Sequence, residues 1–215
     1  CNIKLTRNIP INPDASVLLF IDVQNFSANR QGTEFADLSS AEFDEKYAWY
    51  FDELESRVIP NMQAIQFACR QAGVEVMYTT IESLTLDGRD RSLDYKITGF
   101  NVPKGSWDGK VIDTLSPDED EIVLPKTSSS VFVSTHIDYI LRNLGVKQLI
   151  VSGLITDQCV ESAIRDACDL GYLVTQVSDA CLTYSHERHL NSLRAIKGYC
   201  RQLTSQELIE EISNA

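Results

Sequence analysis

The feature that most restricts the fold is the run Val17-Leu18-Leu19-Phe20-Ile21, unbroken in apolar character and ended by a carboxylate, Asp22. A strand with one solvated face alternates apolar and polar residues. One that does not alternate must be covered on both faces, as in a parallel sheet. Val74 to Ile81, Glu121 to Leu124, Gln148 to Ser152 and Tyr172 to Ser178 read as further strands, and Tyr199 to Leu203 as a short last one. Helical patterns separate them. Residues 52–72 place Val58, Met62, Ile65, Ala68 and Cys69 on one face before Gly73. Thr135 can cap a helix running to Asn143, with Gly145 as its stop. Asp157 to Leu170, ended by Gly171, and His186 to Lys197 follow, and Thr204-Ser205-Gln206-Glu207 has the form of a capping box opening a last helix. This alternation predicts an α/β fold: a single-domain, doubly wound, mainly parallel sheet over residues 1–215, with helices on both faces and right-handed crossovers. Two stretches, 25–50 and 82–119, read as long irregular loops. Both follow strands at their carboxyl ends, where open α/β sheets bind ligands.

Composition excludes several classes. At 215 residues, with 43% hydrophobic and 23% charged residues, the chain can build a sizeable core. No apolar run approaches the ~20 residues that cross a bilayer. The net charge of −12 argues against nucleic acid and anionic membranes as partners. The start, Cys1-Asn2-Ile3-Lys4, has no signal-peptide pattern and reads as a trimmed end, which with unpaired thiols predicts a cytoplasmic protein. The six cysteines (Cys1, Cys69, Cys159, Cys168, Cys181 and Cys200) show neither CxxC pairs nor regular spacing, so neither a disulfide framework nor a zinc site is expected. The only histidines are His136, His186 and His189. The last two share a helix face but have no evident third ligand, and no metal or other cofactor is expected.

Cys159 opens a helix that starts at the carboxyl end of a strand. Amides unpaired at a helix start, with the helix dipole, favour the thiolate and can hold an oxyanion. Taken alone, Cys159 is more simply a small buried apolar residue. Asp22 and Lys126 also stand at or just past the carboxyl ends of apolar runs, so parallel strands would bring all three to one rim. Cys159 is then a nucleophile, Asp22 a general base and acid, and Lys126 the cation that holds Asp22, favours the thiolate and polarises the substrate.

The motifs Leu19-Phe20-Ile21-Asp22-Val23-Gln24, Lys126-Thr127-Ser128-Ser129-Ser130-Val131-Phe132 and Gly153-Leu154-Ile155-Thr156-Asp157-Gln158-Cys159-Val160-Glu161-Ser162 follow one another in the chain. In that order and spacing, with Arg165-Asp166-Ala167 and Ser178-Asp179-Ala180, the chain resembles the isochorismatase-like cysteine hydrolases from about Ala15 to Thr204. The resemblance implies a catalytic set of Asp22, Lys126 and Cys159. It also implies a cis peptide between Leu154 and Ile155, and an oxyanion hole of the Ile155 and Cys159 amides.

Within that family the absence of any histidine before His136 speaks against a metal-dependent nicotinamidase. Lys104-Gly105-Ser106-Trp107-Asp108 resembles the ureidoacrylate amidohydrolase branch, and Thr156-Asp157-Gln158 resembles that branch and the biuret hydrolase branch equally. The expected activity is metal-independent hydrolysis of a C–N bond in a small linear amide or ureide through an acyl-enzyme. The alternatives are vinyl-ether hydrolysis of the isochorismatase type, in which the cysteine is dispensable, and a non-enzymatic thiol sensor or binding domain. Candidate substrate-binding residues are Gln24, Asn25, Glu82, Arg91, Phe132 and Gln158. Arg89 is a second option for a carboxylate, and Trp107 a lid or subunit contact. A homodimer or homotetramer is expected.

Overall fold

All six residues of the first strand, β1 (Ser16–Ile21), are buried. They divide between two separate apolar clusters: Leu18 and Phe20 face one, and Val17, Leu19 and Ile21 the other. This is the two-sided coverage that the unbroken apolar run requires. The molecule is described by a computed structural model for residues 4–215; the reading of Cys1 as a trimmed end lies outside the described residues.

Five strands join β1: β2 (Glu75–Ile81), β3 (Ile122–Lys126), β4 (Gln148–Leu154), β5 (Leu173–Leu182) and β6 (Arg201–Leu203). They form one sheet in the order β3-β2-β1-β4-β5-β6, and every pairing is parallel. The chain winds outward from β1 to β3, returns to the centre at β4, and winds outward the other way. The crevice at the carboxyl ends of β1 and β4 is therefore the switch point at which such sheets bind ligands.

The helices are α1 (Asn25–Ala28), α2 (Ser40–Glu53), α3 (Ile59–Gln71), α4 (Leu93–Thr98), α5 (Val131–Ser134), α6 (Ile137–Asn143), α7 (Glu161–Asp169), α8 (His186–Ile196) and α9 (Ser205–Ser213). Tyr50 and Phe51 of α2, Met62 and Ile65 of α3, and Leu208 and Ile212 of α9 pack with Leu18 and Phe20. Ile137 and Leu141 of α6, Ile164 of α7 and Ile196 of α8 pack on the opposite face. The final helix carries the expected capping box, with Thr204 and Glu207 bonding reciprocally. No helix among the described residues is long and apolar enough to cross a membrane.

Three expectations need correction. The stretch 25–50 is not irregular: Ser39 and Glu42 form a capping box that opens α2, which runs through a π-helical turn (Leu54–Val58) into α3. Its pattern is weak because only Tyr50 and Phe51 of α2 are buried. The stretch 82–119 holds α4, capped by the Ser92 hydroxyl and ended by Gly99 at φ 85°. The helix expected to begin at Asp157 opens instead with a π-helical turn (Thr156–Val160), and α7 follows it.

Gly153 sits in β4 opposite Ile21, at φ 141°. A Cβ there would collide with the Ile21 backbone, and no side-chain rotation could relieve it. Gly153→Ala is therefore expected to lower stability by at least about 3 kcal/mol, combining overpacking with a disfavoured backbone conformation. Urea denaturation checks this, and an unchanged midpoint would refute the account.

Candidate active site

Each of the three candidate groups is delivered by a strand end. Asp22, the residue after β1, has φ 55°, the one positive φ outside glycine among the described residues. Aspartate tolerates that region better than most residues. Its amide donates to Thr79 O in β2 (3.0 Å), and its Oδ1 accepts from the Thr79 hydroxyl (2.9 Å), so the carboxylate is held from two sides. Lys126 is the last residue of β3, in register with Ile81 of β2. Cys159 lies in the π-helical turn that follows β4; such turns recur at functional sites. The Leu154–Ile155 peptide at the head of that turn is cis.

The three side chains meet. Lys126 Nζ lies 2.8 Å from Asp22 Oδ2, an ion-pair contact without the alignment of a hydrogen bond. The same nitrogen donates to Cys159 Sγ at 3.4 Å and to Ser128 O at 2.8 Å. Tyr95 of α4, which the sequence reading missed, completes the group. Its hydroxyl accepts from Lys126 Nζ at 3.4 Å and is 3.8 Å from Cys159 Sγ. Asp22, Tyr95, Lys126 and Cys159 are all buried, Lys126 to 1% exposure.

Burial decides the charge state of the sulfur. Asp22 and Lys126 neutralise each other, so a thiolate would add an unbalanced buried charge. Burial accordingly pushes the Cys159 thiol up to about 11, with Lys126 pulling down and Asp22 pushing up. Desolvation thus outweighs the pull of the lysine, and the thiol proton is left for Asp22 to take. For Lys126, burial alone would depress the ammonium, but Asp22 beside it gives a net upward shift. Burial also raises the Tyr95 phenol.

Asp22, Ile155, Gln158 and Cys159 line one cavity together with Phe26 and Phe100. Its space is about 300 Å³ including the mouth. Of the expected substrate-binding residues, Gln158 alone reaches it. Gln24 is fully buried and spent on structure: Nε2 donates to Ile81 O and Asp108 O, and Oε1 accepts from Ile81 N. Asn25 donates to Trp107 O (2.9 Å). The Glu82 carboxylate is turned to the Gly105 amide (3.3 Å). Arg91 is tied to the carbonyls of Gly88 and Phe100, and Arg89 pairs with Asp87 in solvent. Phe132 packs against Tyr172, ring centroids 6.0 Å apart.

Glu34 and Tyr184 also line the cavity, and neither was anticipated. Glu34 lies in the stretch read as a loop, and Tyr184 is a lone aromatic just past β5; nothing in their spacing marks them. Of the two histidines read as a possible metal pair, His189 has both ring nitrogens engaged, by the Thr156 hydroxyl (2.8 Å) and Ser178 O (3.0 Å). Among the described residues no group of three or more His, Cys, Asp or Glu is arranged to hold a metal ion.

Comparison with known proteins bears on the family and the fold. The family model described as the isochorismatase domain matches residues 16–207. The ureidoacrylate amidohydrolase RutB of Klebsiella pneumoniae subsp. pneumoniae is 31% identical over 191 residues, covering 81% of this chain and 76% of the relative. A cysteine hydrolase from Pseudomonas syringae pv. phaseolicola superposes with a TM-score of 0.81 at 25% identity, covering 98% of each chain. N-carbamoylsarcosine amidase from Thermoplasma acidophilum shares the fold, with a TM-score of 0.67 at 24% identity over 88% of this chain and 96% of that one. The fold, the cluster at its switch point and the match over 16–207 lead to one conclusion: this chain belongs to the isochorismatase family of hydrolases.

Proposed function

We propose that the protein is a metal-independent cysteine amidohydrolase that cleaves a C–N bond of a small linear amide or ureide through an acyl-enzyme on Cys159. One observation carries this reading: Lys126 Nζ stands 2.8 Å from Asp22 Oδ2 and 3.4 Å from Cys159 Sγ, in a cluster closed to bulk water. The names of the amidohydrolase and amidase relatives support the C–N bond as the target.

The chemistry follows from the charge balance. A thiol pushed up to about 11 needs a base at the moment of attack, and Asp22 is the carboxylate in position. Asp22 takes the Sγ proton as sulfur bonds to the carbonyl carbon. The oxygen then carries the negative charge, which the Ile155 and Cys159 amides at the cavity wall would receive. When the C–N bond breaks, Asp22 returns the proton to the departing nitrogen. Water then attacks the thioester, Asp22 takes the proton of the water, and the thiol is restored as that proton passes back to sulfur. Lys126 stays charged throughout, holding Asp22 and countering the charge that develops on sulfur.

A buried, high-pKa thiol is a poor peroxide sensor, since sensor cysteines are exposed and low in pKa. The apolar side chains of Leu84, Leu86, Leu93 and Ile97, exposed on the 82–119 stretch, support a homodimer or homotetramer.

Cys159→Ala and Asp22→Asn are each expected to lower ammonia or amine release by at least ~10³-fold, as when a covalent nucleophile or its base is removed. An alanine variant with full activity would end the acyl-enzyme reading, and pyruvate release from isochorismate by that variant would establish the ether hydrolase instead. The pH dependence of alkylation has a defined sign. Thiolate is the reactive form and the thiol is raised, so iodoacetamide should label Cys159 slowly near neutrality and faster by roughly tenfold per pH unit until about 11. Half-maximal labelling rate at or below about pH 8 would contradict this. Sedimentation velocity should return a dimer or larger species, and a monomer at all concentrations would remove the assembly part of the proposal.

A further inference from the structure

The cavity that holds Cys159 also holds an acid the chemistry above does not use. Glu34 Oε1 accepts a hydrogen bond from the Tyr184 hydroxyl at 2.6 Å. Its other oxygen, Oε2, is enclosed and has no protein partner. Buried polar atoms are rarely left so, and Glu34 is one of the residues lining the cavity, where a ligand could supply the partner. No arginine, lysine or histidine is among the residues lining the cavity. The cations beside these lining residues are committed elsewhere: Arg188 pairs with Asp157 at 2.6 Å and stacks over the Tyr184 ring at 5.4 Å, and Lys126 pairs with Asp22 at 2.8 Å. The other titratable groups that sense Glu34 are phenols, Tyr47, Tyr50 and Tyr184, and each is pushed up in part by its charge.

We propose that Glu34 determines specificity, its free oxygen accepting an N–H from the end of the substrate remote from the scissile bond. The preferred substrate is then an amide or ureide that ends in a neutral or cationic N–H group, such as a carboxamide or an amine, and not in a carboxylate. This rests on the acyl transfer proposed above, and it narrows the substrate class of the same site.

The charge argument sets the direction. Burial pushes the Glu34 carboxyl up to about 7, with the Tyr184 hydrogen bond pulling it down, so the acid keeps part of its proton near neutrality and needs no counter-ion. An N–H donor on Oε2 supplies the missing partner and favours the ionised form. A carboxylate in the same place would face a like charge in a desolvated pocket. The arginines suggested by sequence do not offset this, because Arg91 is occupied by backbone carbonyls and Arg89 lies in solvent. On this point the chain departs from what its relative's name suggests, since ureidoacrylate carries a carboxylate.

The test uses a matched pair, N-carbamoylglycinamide and N-carbamoylglycine, which differ only in that far group. At pH 8, where Glu34 is mostly ionised, the wild type should turn over the amide with a kcat/KM at least ~10-fold above that of the acid. Glu34→Gln keeps the shape but removes the charge and presents a donor; it should reduce that preference by ~10-fold or more, chiefly by improving the acid. A melting temperature within a few degrees of the wild type shows that the variant is folded. If the variant does not fold, the wild-type preference alone decides, and a wild type that favours the acid overturns the proposal. Turnover of both substrates with a preference untouched by Glu34→Gln overturns this inference and leaves the hydrolase reading standing. Turnover of neither, nor of any amide or ureide in a wider panel, overturns the hydrolase reading and this inference with it.

Discussion

The arrangement rests on one buried ion pair, Lys126 with Asp22. Neither group could occupy its place alone, since a lone buried charge costs several kcal/mol and removing one partner of such a pair typically costs about 3–5 kcal/mol. The pair spans a strand: Asp22 follows β1, Lys126 ends β3, and β2 lies between them with Thr79 fastening the acid. A parallel sheet makes this possible, because it brings the carboxyl ends of all strands to one rim. Once the pair is in place its charges cancel, and what remains is a dry, neutral environment in which a thiol keeps its proton.

The wall opposite the pair is built by chain that leaves the rim and returns to it. The segment after β1 and the stretch 82–119 are stitched together by backbone bonds from Asn25 N to Lys110 O and from Ile112 N to Val23 O. Gln24 spends its side chain on the same seam. Phe26 and Phe100, from these two segments, meet edge to face at 5.8 Å over the cavity. The loops that form the pocket are thus tied to each other by backbone hydrogen bonds, which help to set its shape.

What was readable in the sequence divides along a physical line. Strand identity was legible because burial on both faces writes itself directly as an unbroken apolar run, as in β1 and β4. Asp22, Lys126 and Cys159 were legible because each ends or follows such a run, and position along a parallel strand is position relative to the rim. Gln24 and Glu82 lie as near in sequence, yet their side chains turn to backbone groups, as does that of the more distant Arg91; direction past a strand end depends on hydrogen-bonding partners that no local pattern records. Tyr95 was within reach, since Ser92 and Gly99 bracket α4 as a cap and a stop. Glu34 and Tyr184, some 150 residues apart, are joined only by tertiary folding and could not have been paired from spacing.

The outer strands of the sheet have a consequence beyond the site. An open sheet exposes two rows of unsatisfied backbone groups, which invite a neighbouring chain to extend it. Here one border is β3, which carries Pro125 and so lacks a donor at that position, and the other is β6, only three residues long. A proline and an abrupt stop make both borders poor templates for edge-to-edge aggregation, so a core this rich in branched apolar strands can be kept without courting fibrils.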